Sequence, residues 1–376
     1  MKNIMNIIAK VSLAILVCVM ATGCVFSKMD KANGLQNVLI QVNVSADQMT
    51  KSTAAVNVDD EATINTIRIY AFYNGQLSGH YWRSSASSDP IIMDLLLPYN
   101  GIHDVDFYVI ANEGAIDAAQ GSPALDKGTT QQQLKAICLD GLVSPAEKGL
   151  PLYYNDIVAV NVDNITSNTI QGHQEHYWLV QKLDVNLVRP VSKMAVYVAE
   201  AEQGSAVYQT NSPKLTVTSL EISNASEKGY LFEDNDATGD GNYAFVIDTD
   251  ITIPSVIGEQ NGTAIANSQN YTQILSPSYF FTNSNGGDNW SSGYIDQQTN
   301  IAQIAGGAMM LKIGYSFDSG ATSSYAYVKM PQLKRNVFYK VMCRFSPVGG
   351  HQEILISINQ WNYITHTYDE IVVKSK

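Results

Sequence analysis

Apolar residues recur at every second position along most of this chain, in short runs separated by Asn, Gly, Ser and Asp. A period of two puts successive side chains on opposite faces, so the pattern predicts half-buried strands. In Val38-Leu39-Ile40-Gln41-Val42-Asn43-Val44 the residues Val38, Ile40, Val42 and Val44 share one face. The stretch Thr63 to Tyr73 alternates likewise, with Ile67, Ile69 and Ala71 together, and runs into Asn74-Gly75, the strongest two-residue hairpin signal. Val105 to Ala111 is a further clear strand. The pattern restarts at Lys182, where Asp184 to Pro190 leads into Val191 to Val198. More strands are predicted at 214–222, 242–248, 308–317, 323–330, 336–345 and 352–361. In the last of these, Ile354, Ile356 and Ile358 share a face and Trp361 closes the run. Only residues 130–139 read as a helix, with Leu134, Ile137 and Cys138 on one side, expected to cover a sheet edge. Strands without helices between them exclude a parallel α/β sheet, and no internal repeat points to a solenoid or propeller. Two stacked β-sandwiches account for the spacing.

The N-terminus has a different pattern. Lys2 and Lys10 precede the apolar run Val11 to Met20, and small residues follow, which describes a signal peptide. The run falls short of the roughly 20 residues a membrane crossing needs. Ala21-Thr22-Gly23-Cys24 is similar to a bacterial lipobox, whose cysteine is acylated and becomes the mature N-terminus; an ordinary secretory cut beside an incidental cysteine is the alternative. Beyond the first strand, Gln48-Met49-Thr50-Lys51-Ser52-Thr53 carries one basic residue in a polar link. The reading is a lipid-anchored precursor whose first strand is cut away between Lys51 and Ser52. Of four cysteines, Cys18 leaves with the signal and Cys24 carries lipid. Cys138 and Cys343 remain, both in apolar sequence, and read as core residues of a chain that stands on packing instead of disulfides.

The formal net charge is -12, and loss of Lys2 and Lys10 with the signal takes it to -14. An acidic surface of this size excludes nucleic acid as a partner and suits an exposed extracellular protein. Candidate chemistry is thin. Asp234, Asp236, Thr238 and Gly239 resemble the start of a calcium loop, but Phe245 stands where a bidentate Glu is required, so an acidic hairpin turn is the better reading. His173-Gln174-Glu175-His176 lacks the helical metalloprotease spacing and reads as exposed turn. No nucleophile elbow, Walker loop or dinucleotide fingerprint occurs. No catalytic residue, metal site or cofactor is expected. Trp290, in a loop rich in Gly and Asn, reads as folded back on a sandwich, with sugar stacking as the alternative.

Six segments in order resemble the Bacteroidia-type fimbrillins, the type V pilin family: the lipobox; the strand with Lys51 after it; Ile67-Arg68-Ile69-Tyr70-Ala71-Phe72; Phe107 to Glu113 with its Ala111-Asn112; Leu187-Val188-Arg189-Pro190-Val191-Ser192-Lys193-Met194; and Lys334-Arg335-Asn336-Val337-Phe338-Tyr339 with the closing Ile354 to Trp361. The chain departs from that family in having Lys51 where arginine is usual, and in Tyr279-Phe280-Phe281-Thr282-Asn283, which lacks an acid. The resemblance implies an all-β fold of two tandem Greek-key or transthyretin-like β-sandwich domains with one short helix. It divides the chain into a signal peptide (1–23), a lipidated propeptide with the first strand (24–51), an N-terminal domain (52–181) and a C-terminal domain (182–376). It implies a structural subunit of a cell-surface fimbria (pilus), exported as a lipoprotein to the outer membrane and polymerised by protease-triggered strand exchange in support of adhesion. The strand Val38, Ile40, Val42, Val44 would be displaced, and Ile354, Ile356, Ile358 and Trp361 would form the donor strand. Partners would be other fimbrial subunits, in a homo- or hetero-polymer, the outer membrane through the lipid on Cys24, and a host or bacterial surface receptor. The alternative role is a tip or surface adhesin, or a lipid-retaining anchor subunit, binding glycan or protein through its loops. Both end strands could instead be permanent parts of their own domains.

Overall fold

The computed structural model describes residues 34–46, 61, 63–84, 91–143, 145–163, 179–202, 214–232, 241–246, 253, 255–257, 271–282, 291–293, 308–317, 324–345, 352–360 and 371–374. Cys24, Lys51, Ser52, His173 to His176, Asp234 to Asp240, Trp290 and Trp361 lie outside these residues. The first half begins with β1 (Leu35–Ala46), β2 (Ile67–Tyr73) and β3 (Gln76–Arg83). Asn74 and Gly75 both have positive φ, 48° and 72°, as a tight hairpin between right-twisted strands requires. Next come β4 (Ile91–Pro98), β5 (Ile102–Ala111), a 3-10 turn (Glu113–Ala115) and β6 (Ile116–Ala118). Helix α1 (Gln131–Lys135), β7 (Cys138–Leu142), the short turn α2 (Pro145–Lys148), β8 (Leu152–Asn161) and β9 (Leu179–Leu187) complete this half.

Two of its sheets face each other, with strand orders β3-β2-β5-β8 and β4-β1-β9. The inward residues of both, among them Ile40, Ile69, Leu95, Phe107, Val109 and Val185, form one buried cluster. The outer face of the four-stranded sheet is covered too: Tyr70, Phe72, Tyr108 and Ile110 bury against Leu134, Ile137 and Leu139. The helix expected at 130–139 is therefore shorter and differently placed. Thr130 caps it in a reciprocal capping box with Gln133, and it ends at Lys135. Cys138 starts β7, half-buried, and pairs with Tyr230 of a distant strand. The helix packs on a sheet face, not an edge, and Gln131 Nε2 donates to Tyr108 Oη at 3.1 Å.

The second half contains β10 (Ser192–Glu202), β11 (Leu215–Ala225), β12 (Gly229–Tyr230), β13 (Gly241–Phe245), β14 (Ser255–Ile257) and β15 (Thr272–Phe280). It continues with β16 (Ser291–Gly293), β17 (Met310–Phe317), β18 (Ser324–Lys329), β19 (Val337–Phe345), β20 (Gln352–Gln360) and β21 (Ile371–Lys374). The sheet β13-β11-β17-β18-β16 faces a second sheet ordered β14-β10-β19-β20-β21, in which β15 also pairs with β10. Val196, Leu220, Ile313, Val341 and Cys343 meet between them. Cys343 is wholly buried, and burial pushes its thiol far above the ordinary range, so it stays a neutral core residue. Strand β10 runs parallel to β19 and buries Met194, Ala195, Val196, Val198 and Ala199, the near-continuous apolar run of a strand covered on both faces.

Residues 182–187, expected to open the C-terminal domain, pair with the first strand. Strand β9 pairs in parallel with β1, Val42 opposite Leu183 and Val44 opposite Val185, so residues 182–187 belong with the first sandwich. The halves are also tied directly. Strand β12 pairs with β7, and the Phe232 ring stands edge-on to Tyr108 and Tyr153. Gly229 leaves that seam closed: a Cβ there would lie 2.5 Å from the Phe281 ring. Arg335 donates to the Tyr230 and Leu231 carbonyls at 2.6 and 2.7 Å, with its guanidinium 5.1 Å from the Tyr153 ring centroid.

Candidate functional site

Strand β1 forms because its two faces are chemically sorted. Val38, Ile40 and Val42 are 3%, 1% and 0% exposed in the first sandwich core, and Val44 packs on the same cluster from a partly buried position. The opposite face carries Gln41, Asn43 and Ser45, which form a short polar ladder. Gln41 Nε2 donates to Asn43 Oδ1 at 2.8 Å, Asn43 Nδ2 to Asp184 Oδ1 at 2.7 Å and Ser45 Oγ to Asn186 Oδ1 at 2.7 Å. Slipping the strand by one residue would exchange these faces, so its register is strongly specified.

Its position in the sheet is unusual for the first strand of a sequence: β1 is central. It runs antiparallel to β4 from Leu35 opposite Pro98 to Val42 opposite Ile91, and parallel to β9 from Leu39 opposite Leu179 to Ala46 opposite Leu187. The two neighbours are staggered. β4 follows the first part, β9 the last, and both flank Leu39 to Val42. Without β1 the sheet β4-β1-β9 would fall into two strands with facing unpaired edges and an apolar slot between them. β1 is the first strand among the described residues and joins β2, in the opposite sheet, through residues 47–66.

The C-terminal strands occupy the converse position. β20 pairs antiparallel along the whole of β19, with Ile354, Ile356 and Ile358 opposite Cys343, Val341 and Tyr339. β21 pairs on the far side of β20. β21 is the edge strand and β20 lies between it and β19, so departure of the two together would leave β10 and β19 paired.

No family model matches the sequence, and no curated protein matches it. Solved structures do resemble it. A putative cell adhesion protein from Parabacteroides distasonis shares 14% identity over 87% of this chain and 98% of that one, with a TM-score of 0.48. Another, from Bacteroides eggerthii, shares 15% over 90% and 98%, at 0.47. The tip fimbrial protein of Porphyromonas gingivalis, truncated at its C-terminus, shares 13% over 87% and 100%, at 0.43. At these identities no residue role carries over.

Among the described residues no group of three His, Cys, Asp or Glu side chains is placed to hold a metal, and no helix is long and apolar enough to cross a membrane. One polar cluster on the outer face of the first sandwich has a structural explanation. Arg68 Nε and Nη2 donate to the two Glu113 carboxylate oxygens at 2.7 and 3.0 Å, and its guanidinium lies 4.3 Å from the Trp82 ring centroid. His80 Nε2 stands 3.2 Å from Arg68 Nη1; burial, then the Arg68 charge, pull its pKa down to about 4, so it faces the guanidinium as a neutral acceptor.

Sequence reasoning missed one convergence. Arg189, Lys193 and Asn336 stood out only as parts of strand-like motifs, and Tyr279 only as part of a departure from one. In the structure Arg189, Lys193 and Tyr279 converge on Glu61, a residue with no local signal at all, and Asn336 accepts from Arg189 beside them.

Proposed function

We propose that this chain is a structural subunit of a cell-surface fimbria, exported as a lipoprotein through Cys24, cut near Lys51 and Ser52, and polymerised by strand exchange in support of adhesion. The observation that carries the reading is the placement of β1: first in sequence, central in its sheet, and flanked on both sides by strands that would be left unpaired. A strand supplied by another subunit restores both ladders and refills the positions of Val38, Ile40 and Val42. Ile354, Ile356 and Ile358 repeat that every-second-residue spacing on β20, the strand next to the edge of its sheet, which fits them as the donated segment. The partners are then other subunits of the same polymer, and the surface is reached from the outer membrane by way of the lipid.

A second reading draws on β20. It is paired along nine residues of its own sheet and continues into β21, an arrangement suited to a tip or anchor subunit that keeps its C-terminal strand and binds glycan or protein through its loops. Deleting residues 353–376 separates the two. A donor strand can be removed with export and monomer folding preserved and only the polymer lost. Loss of the monomer itself would refute the donor assignment and favour the retained strand.

A further inference from the structure

The chain that leaves β1 re-enters the described structure at Glu61, and it does so on the second sandwich. Lys193 Nζ donates to both Glu61 carboxylate oxygens, at 2.6 and 2.8 Å, and Tyr279 Oη donates to Oε1 at 2.7 Å. Arg189 Nη2 donates to the Glu61 backbone carbonyl at 3.0 Å while Nη1 donates to Asn336 Oδ1 at 2.9 Å. The receptor is built by three strands. Lys193 on β10 lies opposite Tyr279 on β15 and Phe338 on β19. Arg189 and Lys193 are 1% and 8% exposed, a depth at which a cation needs a partner. Burial, then the hydrogen bond to Glu61, raise the Tyr279 phenol well above its ordinary pKa, so it remains a proton donor to the carboxylate.

A few residues on, the same segment is held by the first sandwich. Asn112, in the left-handed conformation at φ 56° and 1% exposed, donates from Nδ2 to the Thr63 carbonyl at 2.7 Å. Its Oδ1 accepts from the Asn65 amide at 2.8 Å, and its own amide donates to the Thr66 carbonyl at 3.1 Å. Asn65 Nδ2 donates to the Lys148 carbonyl at 3.0 Å. Glu61 and residues 63–66 thus bridge the two sandwiches, anchored on one side by the Lys193–Glu61 ion pair and on the other by one asparagine.

We propose that Glu61 and residues 63–66 form a strap that stays locked across the two sandwiches when β1 departs, with Glu61 as the anchor that stops the release from spreading. The inference rests on the reading that β1 is releasable. In the uncut chain the segment is fixed from both directions, by β1 and by β2, and the Glu61 contacts are partly redundant. Once the link at 48–53 is cut, the segment has a free end, and the Lys193–Glu61–Tyr279 cluster is what keeps it from fraying toward Asn112. The cut that frees a strand then leaves the junction between sandwiches as it was, so that successive subunits would present a fixed geometry.

The test uses the full mature chain with residues 48–53 replaced by a specific protease site, folded first and then cut. Amide hydrogen exchange is read at Asn65, Asn112 and Asn336, while release of the β1 peptide is followed separately by mass. Cutting alone should leave the exchange of these amides unchanged. Glu61→Gln should speed it by about tenfold or more in the cut chain, the equivalent of losing one charge-assisted anchor, and by much less in the uncut chain. Lys193→Met combined with Glu61→Gln should add little to either single change. Loss of protection in the cut wild-type chain would overturn the strap, as would equal exchange in cut wild-type and Glu61→Gln chains. Retention of β1 after cutting would count against strand release alone, because the strap is judged from the exchange rates whether or not the peptide leaves.

Discussion

Replacing Ile40 with Ala separates a releasable β1 from one that is merely part of the core. Ile40 is 1% exposed, opposite Met93 on β4 and Gln181 on β9, and belongs to the cluster between the two sheets of the first sandwich. Truncating a buried isoleucine to alanine costs about 2–5 kcal/mol, the spread reflecting how far the site collapses. The Ile40 position is walled by both sheets, and a loss of about 3 kcal/mol corresponds to roughly a hundredfold in equilibrium retention. The assay is exchange: cut the folded chain within 48–53, add excess labelled peptide spanning residues 35–46, and measure the rate and extent of replacement. Ile40→Ala should weaken retention of β1 by roughly a hundredfold with the second sandwich unaltered. The matched control is Ile313→Ala, an equally buried isoleucine in the second core, which should destabilise that core and leave β1 retention unchanged. If the two variants alter retention equally, or if Ile40→Ala unfolds both sandwiches in a single transition with no separable loss of β1, the reasoning fails.

Three other perturbations have definite outcomes. His80 has a folded pKa near 4 against an ordinary 6.5, so the unfolded chain binds its proton first. The resulting penalty is absent above about pH 6.5 and grows as pH falls toward 4, so His80→Gln should flatten that part of a denaturant-midpoint profile, and an unchanged slope would refute the assignment. Glu113→Ala leaves Arg68 buried without its carboxylate, the side chains of the pair being 9% and 19% exposed, and should cost about 3 kcal/mol in urea unfolding; a loss under 1 kcal/mol would mean that water or Trp82 replaces the pair. Cys24→Ser should abolish acyl-chain labelling and release the protein from membranes, and unchanged labelling would remove the lipobox from the account.

The elements that local chemistry decides were legible in the sequence. Alternation marks β1, β2, β5 and most strands of the second half, and Asn74-Gly75 marks the first hairpin, because period and turn conformation are properties of a few adjacent residues. Where tertiary pairing decides, the sequence misleads. Leu134, Ile137 and Cys138 have helical spacing, yet the helix stops at Lys135 because Cys138 and Leu139 pair with Tyr230 and Gly229 from the other half of the chain. Residues 182–187 read as the start of a new pattern, but their partner is β1, a parallel neighbour some 140 positions earlier, and no local period shows such a pairing. Glu61 is the extreme case: its partners Lys193 and Tyr279 lie 132 and 218 positions away, so the last acid of Asp59-Asp60-Glu61 gives no sign of them.

The most direct measurement is the content of β1 in assembled material. Surface polymers are purified, dissociated and analysed for their N-terminal residue and for the peptide Gly34 to Ala46, alongside the membrane-bound precursor. The account predicts precursor beginning at an acylated Cys24, and polymer subunits beginning at or near Ser52 with the Val38-Ile40-Val42 peptide absent. Polymers that contain this peptide in one copy per subunit, joined to residues beyond Lys51, would contradict strand exchange at this site.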